Sequence, residues 1–326
     1  MDSRIILTQA DFSANNIGRY VAFSDFTRKV LTAQTQYNTE DEEAIALNIF
    51  LTQLENGGYI NCDNPKLRTL IIPALASEHS ELLVDIARES SESGNFRGFV
   101  NAMNATEQAA PVNDDVEKKL YRVFGPYEDA ENHILGLYAN YISGYTKNAS
   151  PAPNNKILTD VFQKDGDNLY KPFTFISYIP VIGNAPVNDY LTSEVNGSIP
   201  LLTNSVFKFT YGSSAQYEAA VSLNVAADKY KGLTFLRYNG MDNTTPVFEL
   251  SGDNVSSLGA VTTGTGGGIR ISNETDLNKL ILAANMKNYG KSPVYSLIAG
   301  GDYLTASEVT ELQGYINTLM TALHCK

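Results

Sequence analysis

Runs that alternate large or β-branched residues with polar residues fill much of the stretch 157–299, and this pattern most constrains the fold. A period of two residues is typical of a β-strand that buries one of its faces. Three such runs are Phe173–Ile179, Ser205–Tyr211 and Leu233–Tyr238. Turn-forming residues separate the runs, as at Asn196–Gly197, Asn239–Gly240 and Ser251–Asp253. Because Asn-Gly pairs tolerate the positive φ angles of tight hairpins, this stretch predicts an antiparallel β-sandwich.

The residues before this stretch place apolar side chains at helical spacing. Ser24 is positioned to cap a first helix, and a second helix is predicted from about Thr39 to Gly57–Gly58. Further helical segments are predicted at Ser77–Glu92, at 95–109, at 113–124 and at Tyr127–Ser143. Residues 1–147 are therefore expected to form a mainly α-helical domain.

Residues 148–155 are the predicted linker between two domains, because Pro151 and Pro153 stand there among small polar residues. The second domain, residues 156–326, is expected to close with a helix over 305–323 that begins at a Thr-x-x-Glu capping box. The apolar stripe of that helix is Leu312, Ile316, Leu319 and Leu323. The predicted fold class is α+β and multidomain, with an α-helical N-terminal domain, an antiparallel β-sandwich and a C-terminal helix.

The balance of charge and the cysteines exclude some classes of function. The chain has 24 Lys and Arg residues against 36 Asp and Glu residues, a formal net charge of −12. An acidic chain gains nothing from counterion release, so nucleic acid is not an expected partner. Cys62 and Cys325 form no metal-binding pattern and are predicted to be reduced thiols of a protein made in a cytoplasm. The beginning of the chain lacks the pattern of a signal peptide, and a membrane-spanning run is not expected.

Several residues are candidates for catalysis or ligand binding, and each has a simpler interpretation. His79, His133 and His324 have no second His or Cys at the spacing of metal ligands. Gly264–Gly268 lacks the Lys-Ser/Thr and the helix of a phosphate-binding loop, which favours a hairpin loop. Asp165–Asn168 has oxygen ligands but not the terminal Glu of an EF-hand, which favours a turn. The sequence therefore predicts no metal site and no cofactor.

Acidic and aromatic residues among the predicted strands point towards sugars. A pair of carboxylates for sugar hydrolysis is available among Glu194, Glu218, Asp242 and Glu249, although solvated loop acids are the simpler interpretation. On the predicted loop after the third run, Tyr238 offers a ring for stacking, and Asn239 and Asp242 offer polar groups. These three residues are the candidate ligand-binding residues. The alternative is a plain hairpin with a half-buried tyrosine.

Segments at both ends of the chain carry a family resemblance. Gln9–Gly18, Phe23–Phe26 and Leu67–Leu75 are similar to the opening of virion proteins from bacteriophages of gut Bacteroidales, including the crAss-like phages. Tyr303–Leu312 and Ile316–Leu323 are similar to the closing segment of phage appendage proteins with a concanavalin-like or laminin-G-like sandwich. In those proteins a Leu-Thr-x-x-Glu turn starts the final helix. The matching positions are structural, so the resemblance implies no functional residue.

The resemblance implies a structural virion protein that is not an enzyme, either a head or tail fibre or a capsid decoration component. Its helical N-terminal part would anchor to the capsid or tail. Its jelly-roll or concanavalin-like sandwich would face outward for attachment to host-surface carbohydrate. The implied partners are other virion proteins, two further copies of the chain in a homotrimer, and host polysaccharide. Two alternatives stay open, which are a stand-alone carbohydrate-binding module and a polysaccharide depolymerase.

Overall fold

The computed structural model describes both ends of the chain in long segments and the middle of the chain in separate pieces. The described residues are 22–34, 36–77, 81–82, 84–89, 96–98, 122–129, 134–141, 156–158, 161, 163, 171–180, 189–193, 200–203, 206–209, 220–224, 231–242, 245–255, 258–260, 262–263, 279–282 and 294–325. They form antiparallel sheets and three α-helices, so the fold is α+β.

The first two helices lie where the sequence predicts helices, although α2 begins at Glu42 after an Asp41 N-cap and not at Thr39. Helix α1 (Asp25–Ala33) is capped by Ser24, whose Oγ accepts a hydrogen bond from the Thr27 amide at 3.0 Å. Helix α2 (Glu42–Asn56) ends at Gly57, as expected for a glycine at a helix C-terminus. Both predicted helices are confirmed.

Helix α3 (Ala306–Ala322) closes the chain and contains the predicted capping box. The Glu308 amide donates to Thr305 Oγ1 at 3.3 Å, and the Glu308 carboxylate accepts from the Thr305 amide at 2.7 Å. Two backbone donors at the start of the helix are thereby satisfied by side chains. The predicted closing helix is confirmed.

The described strands pair in an antiparallel manner throughout. They are β1 (Leu67–Ile71), β2 (Val84–Glu89), β3 (Phe96–Gly98), β4 (Arg122–Asp129), β5 (Ile134–Tyr141), β6 (Lys156–Leu158), β7 (Phe173–Ile179), β8 (Asp189–Ser193), β9 (Pro200–Thr203), β10 (Val206–Phe209), β11 (Ala220–Asn224), β12 (Gly232–Asp242), β13 (Thr245–Gly252), β14 (Leu258–Ala260), β15 (Thr262–Thr263), β16 (Lys279–Leu282) and β17 (Leu297–Asp302). A short 3-10 turn, Pro73–Leu75, follows β1. The three predicted strands are confirmed as β7, β10 and β12, but β7 is buried on both faces and not on one, because the sheet is covered on both sides there.

The largest sheet joins the two ends of the chain. Its strand order is β14-β13-β12-β7-β17-β1-β2-β3, so β1 and β17 are neighbours in its middle. A second sheet has the order β15-β11-β10-β9-β8-β16-β6, and β4 pairs with β5 alone. The largest sheet takes strands from both sides of residues 148–155. This sheet therefore does not divide into a helical domain before residue 148 and a β domain after residue 155. The predicted linker itself lies outside the described residues.

The helices pack on one face of the largest sheet, which we call the helix face. The register of β7 with β12 places Tyr178 beside Leu233 and Ile176 beside Phe235, and all four side chains point to this face. The helices contribute buried residues to the same core: Val30 of α1, Leu47, Phe50, Leu51 and Leu54 of α2, and Leu312, Ile316, Leu319 and Met320 of α3, with Leu323 after it. The predicted apolar stripe of the closing helix is therefore confirmed.

A bulge in β1 keeps two leucines on the helix face although they are three residues apart. The pairing of β1 with β17 shifts between Leu67 and Thr69, and both Leu67 and Leu70 belong to the core shared with the helices. The intervening Arg68 points to the opposite side of the sheet, where its Nη2 donates to the Val161 carbonyl at 2.8 Å. We call that side the opposite face.

Asp85 of β2 is fully buried and bonds to the backbone of two strands. Its Oδ1 accepts from the Leu70 amide at 2.8 Å and from the Ala87 amide at 3.1 Å. The β1–β2 ladder contains a single residue pair, Ile71 with Asp85. The carboxylate therefore satisfies amides that a longer ladder would have paired.

Two predicted helices are wrong. Within Ser77–Glu92 the structure has β2, and within Tyr127–Ser143 it has the end of β4 and all of β5. The described parts of 95–109 and 113–124 are also strands, β3 and the start of β4. Val84, Asp85 and Ile86 alternate apolar and polar residues, and Asp85 pairs with Ile71 of β1, so tertiary pairing favours a strand there. Gly125 and Pro126 inside β4 also oppose a helix.

The turn predicted at Asn239–Gly240 is also wrong, because β12 continues to Asp242. Gly240 has a φ of 84°, and the pairing with β13 shifts between Tyr238 and Met241. The positive φ angle that the Asn-Gly pair favours is used in a β-bulge and not in a hairpin turn. The turn at Ser251–Asp253 is confirmed, since β13 ends at Gly252. Asn196–Gly197 lies outside the described residues.

Candidate functional site

The three candidate ligand-binding residues do not form a sugar platform around a stacked ring. Tyr238 is only 1% exposed, and its ring packs against Phe173 with the ring centroids 5.5 Å apart. A ring in the core offers no open face to a sugar. Asn239 is exposed beside it in the bulge, and Asp242 ends β12. A ligand-binding role for Asn239 and Asp242 stays a prediction.

The other candidates are placed as follows. His79, His133, Glu194, Glu218, Asp165–Asn168 and Gly264–Gly268 lie outside the described residues. His324 is exposed just after α3, with its Nε2 3.4 Å from Glu43 Oε1. Cys62 is exposed and Cys325 is buried, and the two do not form a disulfide bond. Their reduced state stays a prediction.

A polar cluster at the first half of α3 ties that helix to the segment between α2 and β1. We call Tyr59, Lys66, Glu308, Glu311 and Tyr315 the α3 clamp. Glu311 accepts from Tyr59 Oη at 2.7 Å and from Tyr315 Oη at 2.6 Å, so both carboxylate oxygens are bound. Glu308 forms an ion pair with Lys66, and the Lys66 ammonium lies 5.3 Å from the centroid of the Tyr59 ring. Tyr59 and Lys66, which precede β1, therefore bind Glu311 and Glu308 of α3, and Tyr315 of the same helix completes the cluster.

The hydrogen bonds of the clamp shift the pKa values of its members. The bonds from Tyr315 and Tyr59 lower the pKa of Glu311 below 4.5. Burial acts to raise the pKa of Glu308, but the Lys66 ammonium and the Thr305 donors outweigh it and lower that pKa. The bond to Glu311, followed by burial, raises the pKa of Tyr315 to about 12. Burial and then the bond to Glu311 also raise the pKa of Tyr59. At neutral pH both glutamates are therefore ionised and both phenols are protonated, which are the forms that these hydrogen bonds require.

Arg237 of β12 holds the segment that leads into α3. Its guanidinium pairs with Glu249 of β13 and donates from Nη1 to the Leu304 carbonyl at 2.9 Å. It also lies 5.4 Å from the centroid of the Tyr303 ring. Arg237 is mostly buried, so these contacts compensate for its loss of water. Glu249, a candidate for sugar hydrolysis, therefore serves here as the partner of an arginine.

Arg68 makes a similar connection on the opposite face. It pairs with Asp302 at the end of β17 and reaches the Val161 carbonyl. The Arg68 side chain is 9% exposed, whereas that of Asp302 is 59% exposed. The pair thus joins a buried cation to an anion that water still reaches.

Asp253 connects the end of β13 to the middle of α3. Its Oδ1 accepts from Gln313 Nε2 at 3.0 Å and from Asn317 Nδ2 at 2.7 Å, while Oδ2 accepts from the Leu233 amide at 3.1 Å. The neighbouring Gly232 has a φ of 85°, and a Cβ there would lie 2.8 Å from Asp253 Oδ2. Glycine is therefore required at this turn.

These clusters share one property, which is that each joins elements distant in the sequence. In the part of the chain that the structure describes, no group of His, Cys, Asp and Glu residues is arranged to hold a metal ion. The described helices include none that is long and apolar enough to cross a membrane. Of these residues the sequence indicates Glu308 through the capping box, Glu249 as a candidate acid and Asp253 in a turn. It does not indicate which residues pair with Lys66, Arg68 and Arg237, because the partners lie on other strands and helices.

Comparisons with known proteins add no assignment. No family model matches the sequence. No curated protein matches it. The contacts described above and the resemblance of its end segments therefore carry the proposed function.

Proposed function

We propose that this protein is a non-enzymatic structural component of a bacteriophage virion, a head or tail fibre or a capsid decoration protein. The resemblance of the end segments to virion proteins of phages of gut Bacteroidales provides the class. The arrangement of charged and phenolic side chains supports a structural role. A building block of a particle must stay folded without a ligand, and this chain uses its buried polar groups for that purpose.

The observation that carries the proposal is the long-range pairing of three cations, of which Arg68 and Arg237 are buried and Lys66 is partly exposed. Lys66 pairs with a residue 242 positions away, and Arg68 with one 234 positions away. Both pairs link the first strand segment to the last strand and helix. Arg237 likewise fixes the segment before α3. Cations engaged in this way stabilise the joining of the chain ends, whereas a catalytic site would direct such groups towards a shared cleft.

The finer parts of the proposal concern assembly and attachment. We propose that copies of the chain assemble as a homotrimer and contact other virion proteins through the part that contains α1 and α2. The strands after residue 156 would form a β-sandwich of the jelly-roll or concanavalin-like type that faces the host. Attachment to host-surface polysaccharide is then a role for loops of that part, with Asn239 and Asp242 as the remaining candidate residues.

Immunoelectron microscopy of the phage that encodes the protein tests the central proposal. Antibodies raised against the purified full chain should label purified particles at regular positions on the head or on the tail, and the position decides between the two locations. Antibodies raised against an unrelated protein of the same lysate serve as the control. Label that stays with the lysate and never with purified particles would contradict the proposal.

The depolymerase and the stand-alone carbohydrate-binding module make different predictions. Incubation of the folded chain with host capsular polysaccharide should yield no new reducing ends and no unsaturated products. Their release would favour the depolymerase. The stand-alone module would be favoured by two results together: purified particles carry no antibody label, and the chain binds a glycan that Asn239→Ala binds more weakly.

A further inference from the structure

Asn239 and Gly240 lie in a part of β12 that has lost its regular pairing. The ladder between β12 and β7 ends at the pair Tyr238 with Phe173. The residue before Phe173 is Pro172, which has no amide hydrogen and cannot extend the ladder of β7 with β12. Pro172 lies beside Gly240, since a Cβ at Gly240 would be 3.7 Å from its Cγ. The Asn239–Gly240 peptide therefore lies beyond the edge of regular pairing with β7.

The pairing with β13 is irregular at the same place. The register passes from Tyr238 with Phe248 to Met241 with Pro246, so two residues of β12 stand opposite Val247. Gly240 takes a positive φ angle of 84° within this bulge, and Asn239 is exposed. A bulge leaves its extra residue outside the ladder. The peptide thus has more local freedom than one inside a regular ladder.

The chain contains a matched pair of residues in a different environment. Asn56 is also exposed and is also followed by a glycine, but it ends helix α2. The Gly57 amide donates to the Gln53 carbonyl at 2.9 Å. A Cβ at Gly57 would lie 2.6 Å from the Tyr59 ring, so this glycine is also tightly packed. The helix must open locally before the Gly57 nitrogen can leave its hydrogen bond.

We propose that Asn239 is a site of spontaneous deamidation in the folded protein, and that Asn56 is protected. The Gly240 backbone nitrogen attacks the Asn239 side-chain carbonyl carbon, and ammonia leaves to give a five-membered succinimide. Water then opens this ring to aspartate or isoaspartate, so one amide is exchanged for one carboxylate. Glycine favours the attack because it has no side chain to obstruct the nitrogen. Asparagine is accordingly among the residues that limit protein lifetime.

This modification changes an exposed residue in the bulge of β12. The product carries one more negative charge in a chain whose formal net charge is already −12. The isoaspartate form also adds one carbon atom to the backbone within the bulge. The inference goes beyond the structural role proposed above and does not depend on it.

Mass spectrometry of the aged full chain tests the inference. The folded protein is kept at mildly alkaline pH, and peptides that contain Asn239 or Asn56 are followed for a mass gain of about 1 Da. A parallel sample in urea gives the rates of the unfolded chain, where Asn56 and Asn239, each followed by glycine, should react alike. In the folded chain Asn239 should react more than about tenfold faster than Asn56, because only Asn56 requires a local opening. Equal rates at the two positions in the folded chain would overturn the inference.

A second measurement identifies the intermediate. Hydroxylamine cleaves a chain at a succinimide, so aged protein should yield fragments that separate between residues 239 and 240. Asn239→Gln keeps the amide but lengthens the side chain, which disfavours ring closure, and these fragments should disappear. Their persistence in Asn239→Gln would show that the cleavage does not arise from Asn239 and would contradict the assignment.

Discussion

The two faces of the largest sheet hold the rest of the protein by different means. The helix face presents mainly apolar side chains such as Ile176, Leu233 and Phe235, which share one core with the helices, beside the Arg237–Glu249 pair described above. The opposite face is equally buried but includes Arg68 paired with Asp302, and a hydrogen bond of 3.0 Å between Ser177 Oγ and Thr234 Oγ1. Apolar contacts are non-directional, whereas polar pairs require a particular partner in a particular place.

This difference determines how a substitution on each face lowers the stability of the fold. On the helix face the loss of a side chain costs burial and leaves a cavity, and similar apolar residues can replace one another. On the opposite face the loss of one partner leaves another polar group buried without compensation. Substitutions on the two faces should therefore differ in size and in how strongly they are coupled.

The largest effect is expected on the helix face. Phe235→Ala removes a fully buried ring that lies among core residues, and the free energy of unfolding should fall by about 3–5 kcal/mol. Denaturant unfolding of both proteins measures the difference. Phe235→Leu serves as the matched control and should cost markedly less, since it keeps most of the apolar volume. Equal losses in the two variants would contradict an account based on apolar burial.

The ion pair on the opposite face gives the next effect. Asp302→Asn leaves the Arg68 guanidinium, whose side chain is only 9% exposed, without its carboxylate, and should cost about 2–3 kcal/mol. Arg68→Met should cost less, because Asp302 is 59% exposed and water can solvate it. Unfolding free energies of the two variants provide the comparison. A greater loss for Arg68→Met would show that packing of the long side chain outweighs its charge.

A smaller effect is expected from the hydroxyl pair. Ser177→Ala and Thr234→Val each leave the other hydroxyl buried without this bond, and each should cost about 1 kcal/mol. Both changes together should cost less than the sum of the two, because no hydroxyl is then left alone. A double-mutant cycle by denaturant unfolding measures this coupling. Additive losses would mean that the two side chains do not bond to one another.

The smallest effect concerns the α3 clamp, the polar part of the helix side. The pKa of Glu311 is lowered in the folded state below 4.5, so its stabilising effect is present above that pH. It is lost as the pH falls through the lowered folded pKa. The wild-type protein should therefore be slightly more stable than Glu311→Gln at neutral pH, and the difference should vanish in acid.

Thermal melting over a series of pH values measures the clamp effect. Tyr59→Phe and Tyr315→Phe each remove one donor to Glu311 and are the matched controls, since they should reduce the pH dependence without adding a charge. A constant difference between the wild-type protein and Glu311→Gln at every pH would contradict the assignment to the carboxylate.

Local signals in the sequence predicted those elements whose structure is set locally. Ser24 and the Thr305–Glu308 capping box place the starts of α1 and α3, because a cap acts within a few residues. The alternation of Phe173–Ile179 predicted β7 to the residue. The sequence predicts helices over the segments that contain Val84–Glu89 and Ile134–Tyr141, because a short run of apolar residues fits the spacing of a helix as well as that of a strand.

Long-range contacts determine the strand order and the polar pairs, which the sequence does not indicate. The neighbouring position of β1 and β17 depends on residues more than 200 positions apart, for which one sequence has no local signal. The Asn239–Gly240 pair predicts a loop at Tyr238, because Asn-Gly usually marks a turn. In the structure a bulge allows β12 to continue through this pair, and the Tyr238 ring is buried. The polar partners of Arg68 and Arg237 were missed for the same reason.

Native-state hydrogen exchange tests most directly the claim that both chain ends form one structural core. Amides in β1, β7, β17 and α3 are followed in the full-length protein as denaturant is increased. The account predicts that they merge into a single opening with the free energy of global unfolding, because sheet pairing and polar contacts join these elements. Exchange of α3 or β1 through a separate opening of much lower free energy would contradict it.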